Sequence, residues 1–393
     1  MGRDTRKVSR EVRKSENIRK SYSKKRKNIF NPKTAERDES FWSTSSKKLK
    51  QNTENDVPES CTSEFRIINF ITVFTAISAL VKCKKCDGNI EFLTASTRGL
   101  GFKIVVSCNN CDSEYIPSCS FIGHSYEINR RFIFVMRILG IGYEGLCKFC
   151  GLMNMPSFLD KATHTILLKH ILDCGKTVAE ALMKKAMNQE KETTSENENK
   201  NDLTVSGDGT WQKRGFTSSF GVSSIIGYYT GKILDINIKS AYCKLCEYWK
   251  KKRNTVEFEE WYEQKGSLLS RCVGGFNQNN NESFNQLVWK ICPKTVNTSS
   301  TIVQIAAYIA TCIFNECTNS LLMIMDTLGL NCGSNSHRYA EKLDAARVKV
   351  ADQRANDNTR KGRMLRRQQQ IDVLETSTMA EELLYGPGID DSI

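Results

Sequence analysis

Two Cys-x-x-Cys pairs, Cys83/Cys86 and Cys108/Cys111, constrain the fold of this chain more than any other feature. Each pair aims two thiolates at one point, and two such turns complete a closed tetrahedron around zinc. The 21 residues between the pairs slightly exceed the usual spacing of a four-cysteine zinc ribbon. Ile90–Leu93 and Phe102–Ser107 are predicted to be the hairpin strands that bring the turns together. A four-sulfur site has no open coordination position, so Cys83, Cys86, Cys108 and Cys111 are expected to hold a structural zinc. The bland reading is four unrelated core cysteines. The chain has 16 cysteines and begins with a charged segment that lacks the apolar stretch of a secretory signal. Paired thiols in an intracellular setting point to metal sites rather than disulfides.

A second stretch, Val205-Ser206-Gly207-Asp208-Gly209-Thr210-Trp211-Gln212-Lys213-Arg214-Gly215, places one carboxylate at the end of a short apolar run, Leu203–Val205. Two strand-like runs follow, Ser219–Tyr229 and Ile233–Lys239. Thr230-Gly231-Lys232 between them reads as a hairpin turn, since glycine readily takes a positive φ. A strand that delivers an acid to its end, followed by a meander, suits metal-dependent phosphoryl transfer. Gly-Asp-Gly is equally ordinary turn chemistry.

This stretch, with Thr230-Gly231-Lys232-Ile233-Leu234-Asp235, resembles the core of the Mutator-like transposases of animal genomes. Three further blocks agree and occur in the family's order. They are Met136–Gly142 with Phe149–Pro156, Asn279–Asn285 with Val288-Trp289, and Cys292-Pro293-Lys294. The resemblance covers roughly Phe65 to Arg367. It implies an RNase H-like fold in which three acids from separate elements hold two divalent ions, usually Mg²⁺, that cleave and join DNA strands. It matches the first acid to Asp208 and the last to Glu282. It also implies DNA as partner and the nucleus as location.

The second acid should lie at the end of a fourth strand, in a Gly-Asp-Gly-Asp-Ser-Lys-like block, with a Cys-Val-Gly-His-like block after it. Neither is present. Trp261–Gly266 runs straight into Leu268–Cys272, so the sequence reads as an internally deleted copy. Glu257, Glu259, Glu260 and Glu263 remain there, in a charged run that reads as a solvated helix face. Cleavage is therefore expected to be defective. The alternative is a domesticated zinc-containing DNA-binding or regulatory protein without enzymatic activity.

The fold class expected is α+β. A disordered basic arm (1–60) precedes a zinc-ribbon and helical domain (61–190), a linker (191–202) and a truncated RNase H-like core (203–335). That core is a three-stranded meander plus helices, and a basic C-terminal helix with a disordered tail (336–393) follows it. Residues 1–50 hold 17 Lys/Arg against 6 Asp/Glu, much of the overall +13. Lys24–Lys27 and Lys47–Lys50 suit nuclear import or phosphate contact. The one apolar run near membrane length, Phe65–Val81, is short and carries Arg66 and Asn69, so it is assigned to the core. Glu127–Leu139 is predicted to be a helix with Ile128, Phe132, Val135, Met136 and Leu139 on its buried side. Leu159–Met187 is predicted to be one long helix or two meeting near Cys174-Gly175. Ile302–Leu328 is predicted to be one buried helix or two meeting near Asn315. Cys147/Cys150, with His164, His170 or Cys174, and Cys243/Cys246, with Cys272 or Cys292, are weaker metal candidates. A homo-oligomer is an open expectation.

Overall fold

Ile90–Arg98 (β1), Gly101–Cys108 (β2) and Cys111–Pro117 (β3) form an antiparallel meander in the computed structural model of the chain. The structure describes residues 48, 57–61, 63–198, 203–213, 218–240, 279–295, 298–357, 364, 367 and 368. Residues 44–348 make one compact unit. Residues 1–43 and 349–393 make a second, of which the described part is the end of one helix with residues 364, 367 and 368.

The β1–β2 hairpin turns at Gly99, whose φ of +61° suits a residue without a side chain. Asn129 holds this turn from outside: its Oδ1 accepts from Leu100 N at 2.8 Å and its Nδ2 donates to Arg98 O at 2.7 Å. At Gly101 a Cβ would fall 2.1 Å from the ring of Tyr126, so the strand can approach that ring only as glycine. The hairpin strands are longer than the two short runs predicted, and β3 adds a strand the sequence did not announce.

Phe70–Leu80 (α1) lies on β1. Phe70 meets Phe102 edge-on at 5.7 Å and Phe74 meets Phe92 at 5.1 Å. The assignment of Phe65–Val81 to the core is corrected here: no residue of α1 is buried, and Leu80 is 84% exposed. A helix with a narrow sheet on one side buries only the stripe that faces it. Among the described residues no helix is long and apolar enough to cross a membrane.

After the small hairpin Phe121–Ile122 (β4) and Ser125–Tyr126 (β5), the chain forms Glu127–Ile138 (α2), Tyr143–Leu152 (α3) and Lys161–Glu198 (α4). The buried face of α2 differs from the predicted one. Ile133, Phe134 and Met136 are buried with Glu127, Asn129 and Arg137, whereas Val135 and Leu139 are exposed. Polar partners turn the helix. Glu127 accepts from Ser120 Oγ at 2.5 Å and pairs with Arg131, and Arg130 Nη1 donates to Leu328 O at 2.7 Å. Hydrophobic spacing alone cannot register a charge such as Glu127, which buries because Ser120 and Arg131 pair it.

α4 starts where Asp160 accepts from Thr163 N at 2.9 Å and from Thr163 Oγ1 at 2.6 Å. It runs unbroken past Cys174-Gly175, with Ile171, Val178, Ala179 and Leu182 buried. It also continues through residues 191–198, where composition predicted a linker. The reason is tertiary. Glu190, fully buried on α4, accepts from Tyr229 N and Thr230 N, each at 2.8 Å, and from Thr230 Oγ1 at 2.5 Å.

The hairpin that Glu190 holds joins the second and third strands of another antiparallel meander, Val205–Trp211 (β6), Phe220–Gly227 (β7) and Ile233–Ser240 (β8), with β7 central. Gly231, at φ +62°, makes the predicted turn. Asn279–Ile291 (α5), Ser300–Glu316 (α6) and Asn319–Thr327 (α7) complete the core. α6 is apolar nearly all round because it packs along α4, α5 and β8. The break between α6 and α7 falls at Cys317, φ +60°, two residues beyond Asn315. There Asp344 accepts from Thr318 N at 2.9 Å. Asp344 belongs to Ser334–Asp357 (α8), the predicted basic helix.

Lys48 corrects one point of the expected disordered arm. It is buried, and its Nζ donates to Phe314 O at 3.0 Å in the last turn of α6, where unpaired carbonyls favour a cation. Burial pulls its pKa well below the ordinary lysine value. Ser60 N also donates to Cys332 O at 2.8 Å.

Candidate metal centre and carboxylate site

The first predicted site assembles at one end of the β1–β3 sheet. Cys83 and Cys86 lie in the turn before β1, closed by Cys83 N donating to Gly88 O and Asp87 N donating to Cys83 O, each at 2.8 Å. Cys108 ends β2 and Cys111 opens β3, and the two face each other across the ladder. All four Sγ atoms lie within 4.8 Å of one another, with Cys86 to Cys108 at 3.3 Å and Cys83 to Cys111 at 3.8 Å. Zinc–sulfur bonds of about 2.3 Å in a tetrahedron put sulfurs about 3.8 Å apart. The four cysteines are therefore close enough to hold a metal such as zinc. Gly88 keeps the space open: a Cβ there would sit 3.2 Å from Cys86 Sγ and 3.4 Å from Cys108 Sγ. Backbone hydrogen bonds from Lys85 and Cys86 pull the Cys83 thiol down to about 6, while its hydrogen bond with Cys86 leads the causes that push Cys111 up to about 12. A thiolate is thus prepared at one corner, and a metal must displace protons at another.

The second predicted site is built differently from its sequence reading. Asp208 was expected at the end of a strand, in turn-like Gly-Asp-Gly. It lies instead in the middle of β6, an outer strand of its sheet, opposite Ser224 of β7. Strand alternation puts Ser206, Asp208 and Thr210 on one face. On α5, Asn281, Asn285 and Trp289 recur every four residues. Four helical residues rise about 6.0 Å and two strand residues about 6.7 Å, so the two series stay in step. Asn281 Nδ2 donates to Ser206 Oγ at 2.9 Å. Asn285 Nδ2 donates to Asp208 Oδ2 at 2.8 Å, and Trp289 Nε1 to Thr210 Oγ1 at 2.8 Å. The adjoining face of α5 buries Phe284 and Val288 completely.

Glu282 occupies the first turn of α5 and is exposed. It stands three residues from Asn285, the residue that touches Asp208. The two predicted acids thus lie on neighbouring elements, and Asn285 of α5 reaches Asp208 of β6. Among the described residues neither belongs to a group of three or more metal-ligating side chains. Among the described residues no third acid joins Asp208 and Glu282, and one oxygen of Asp208 accepts from Asn285. The Asn281–Asn285–Trp289 ladder was not anticipated. Its signal is the match between the i, i+4, i+8 polar series of α5 and the alternate polar series of β6.

A profile of the Mutator-like transposase family matches residues 64–350. The chain belongs to the Mutator-like transposase family. No significant match to a curated protein or to a solved structure was found. In this Mutator-like chain the matched span takes in the cysteine cluster, the β6–β8 meander and the whole of α5.

Among the described residues the weaker metal candidates form no group of three or more ligands. Cys150 is buried on α3, and burial pushes its thiol up. His164 packs by Tyr143, with ring centroids 5.1 Å apart. His170 Nε2 lies 3.1 Å from Arg130 Nη1, and the neighbouring Cys174 is directed to Thr327 O at 3.7 Å. Cys243, Cys246, Cys272 and the acids Glu257, Glu259, Glu260 and Glu263 lie outside the described residues.

Proposed function

We propose that this protein is a transposase-derived DNA-binding protein of the nucleus, with a structural zinc and an incomplete phosphodiester-cleaving centre. The family profile over residues 64–350, with Asp208 and Glu282 in place but no Gly-Asp-Gly-Asp block between them, carries this reading. Cys83, Cys86, Cys108 and Cys111 would hold the zinc. Their closed set of sulfurs suits a stabilising ion that ties two chain turns together. Asp208 would retain a structural share of its ancestral position, since Asn285 fixes its carboxylate against α5. The β6–β8 meander with α5 would be the retained part of an RNase H-like core.

The charge distribution supports DNA as the partner. Lysines and arginines concentrated before residue 50 displace condensed counterions when they reach phosphates, so affinity should fall steeply with salt. Removing residues 1–40 deletes 14 Lys/Arg but leaves the buried Lys48 in place. Plots of log affinity against log salt on a duplex should become shallower by at least about 3 in slope after that truncation. An unchanged slope would exclude the arm as a DNA contact. No binding at any salt would exclude the DNA-binding reading itself.

A further inference from the structure

A cavity of about 760 Å³ lies beside the ladder that fixes Asp208. Thr210 of β6, Asn285, Trp289 and Lys290 of α5, Lys294 just beyond it and Arg347 of α8 contribute to its wall. The described lining includes three cations and no carboxylate. Such a concavity concentrates anions. Its volume falls within the range of about 300–1,000 Å³ typical of small-ligand sites, which is room for one or two nucleotides and too little for a duplex.

The polar groups are those a phosphodiester needs. Lys290 and Lys294 are exposed, and Lys294 Nζ stands 5.1 Å from the centre of the Trp289 ring. Arg347 is anchored by Nη1 donating to Ile313 O at 2.8 Å, which leaves most of its five N–H donors for phosphate oxygens. Thr210 Oγ1 accepts from Trp289 Nε1, so its own proton is available to donate. The indole fixed by that bond supplies an aromatic wall of the kind nucleobases lie against.

We propose that this cavity binds the phosphates and a base of a single DNA strand, such as an unpaired strand end, next to Asp208. The proposal rests on the DNA-binding reading above and adds a preference for single-stranded DNA. The test uses the full-length, zinc-loaded protein, a labelled blunt duplex and the same duplex with a 3′ overhang of a few nucleotides. Fluorescence anisotropy should give the overhang an affinity about tenfold higher than the blunt end, in line with one stacked base. The Lys290→Glu/Lys294→Glu protein, and the milder Lys290→Gln/Lys294→Gln protein, should bring that ratio close to one. Circular dichroism checks that these surface changes leave the fold intact. A ratio near one in the unmodified protein, or a ratio the variants leave unchanged, overturns the pocket while duplex binding still stands. If neither DNA binds, the DNA-binding reading fails and the pocket falls with it. Displacement of the overhang by dTMP, but not by a short unlabelled strand, would assign the cavity to a mononucleotide and overturn the strand proposal.

Discussion

Replacing Glu316 with alanine is expected to destabilise the protein by about 3–5 kcal/mol. Lys232 is fully buried at the start of β8, and its Nζ donates to Glu316 Oε1 at 3.1 Å and to Gln189 Oε1 at 3.0 Å. Lys185 Nζ lies 4.0 Å from the other Glu316 oxygen. Truncating the carboxylate leaves a desolvated ammonium with only a neutral amide oxygen to face. The same site ties three elements together, because the adjacent Asn315 closes both polar groups of Ile233: Oδ1 accepts from Ile233 N at 2.7 Å and Nδ2 donates to Ile233 O at 2.9 Å. Removing both charges, as in Lys232→Met with Glu316→Met, should recover much of the loss, since a buried pair often contributes little over well-packed apolar groups. Urea denaturation at pH 7 measures both proteins. A single-variant loss below about 1 kcal/mol would show that the buried pair is not held as described.

The second large effect is at the cysteine cluster. Cys83→Ser with Cys108→Ser should abolish one bound zinc per chain and open residues 82–117 to proteolysis. Small zinc-folded peptides draw about 10–16 kcal/mol of apparent stabilisation from the metal. Here α1 stays packed on β1 and Asn129 clamps the first hairpin, so local opening is expected rather than loss of the whole unit. Zinc binding should weaken as pH falls, because protons return to thiols such as Cys111 that the metal must displace. Zinc content by mass spectrometry checks the variant. A content unchanged from that of the unmodified protein would remove the cluster from the account.

The parts legible in the sequence were those set by local chemistry. Cysteine spacing placed four sulfurs together, and Gly231 marked the turn of a meander whose second and third strands were read nearly to their ends. Asn315 lay within two residues of a real helix break. What was hidden depended on partners distant in the chain. The face of α2 is set by Glu127 and Arg130 reaching Ser120 and Leu328 O, so its exposed Val135 and Leu139 misled the periodicity. The polar end of α4 read as a linker because Glu190 gains its role only when the 229–230 turn arrives. Asp208 read as a turn residue because its flanking glycines suggested one, whereas pairing with β7 keeps the strand extended. The ladder from α5 could be found only by comparing a four-residue period with a two-residue one.

The central claim is the proposal that this Mutator-like chain binds DNA but lacks a complete cleavage centre. Plasmid nicking tests it most directly. Purified, zinc-loaded full-length protein is incubated with supercoiled plasmid in Mg²⁺ and, separately, in Mn²⁺, beside an Asp208→Asn control that retains an acceptor oxygen for Asn285. The account predicts nicking no greater than that of the control in either metal. Metal-dependent nicking that Asp208→Asn abolishes would contradict it, and would send the search for the third acid to Glu257, Glu259, Glu260 and Glu263.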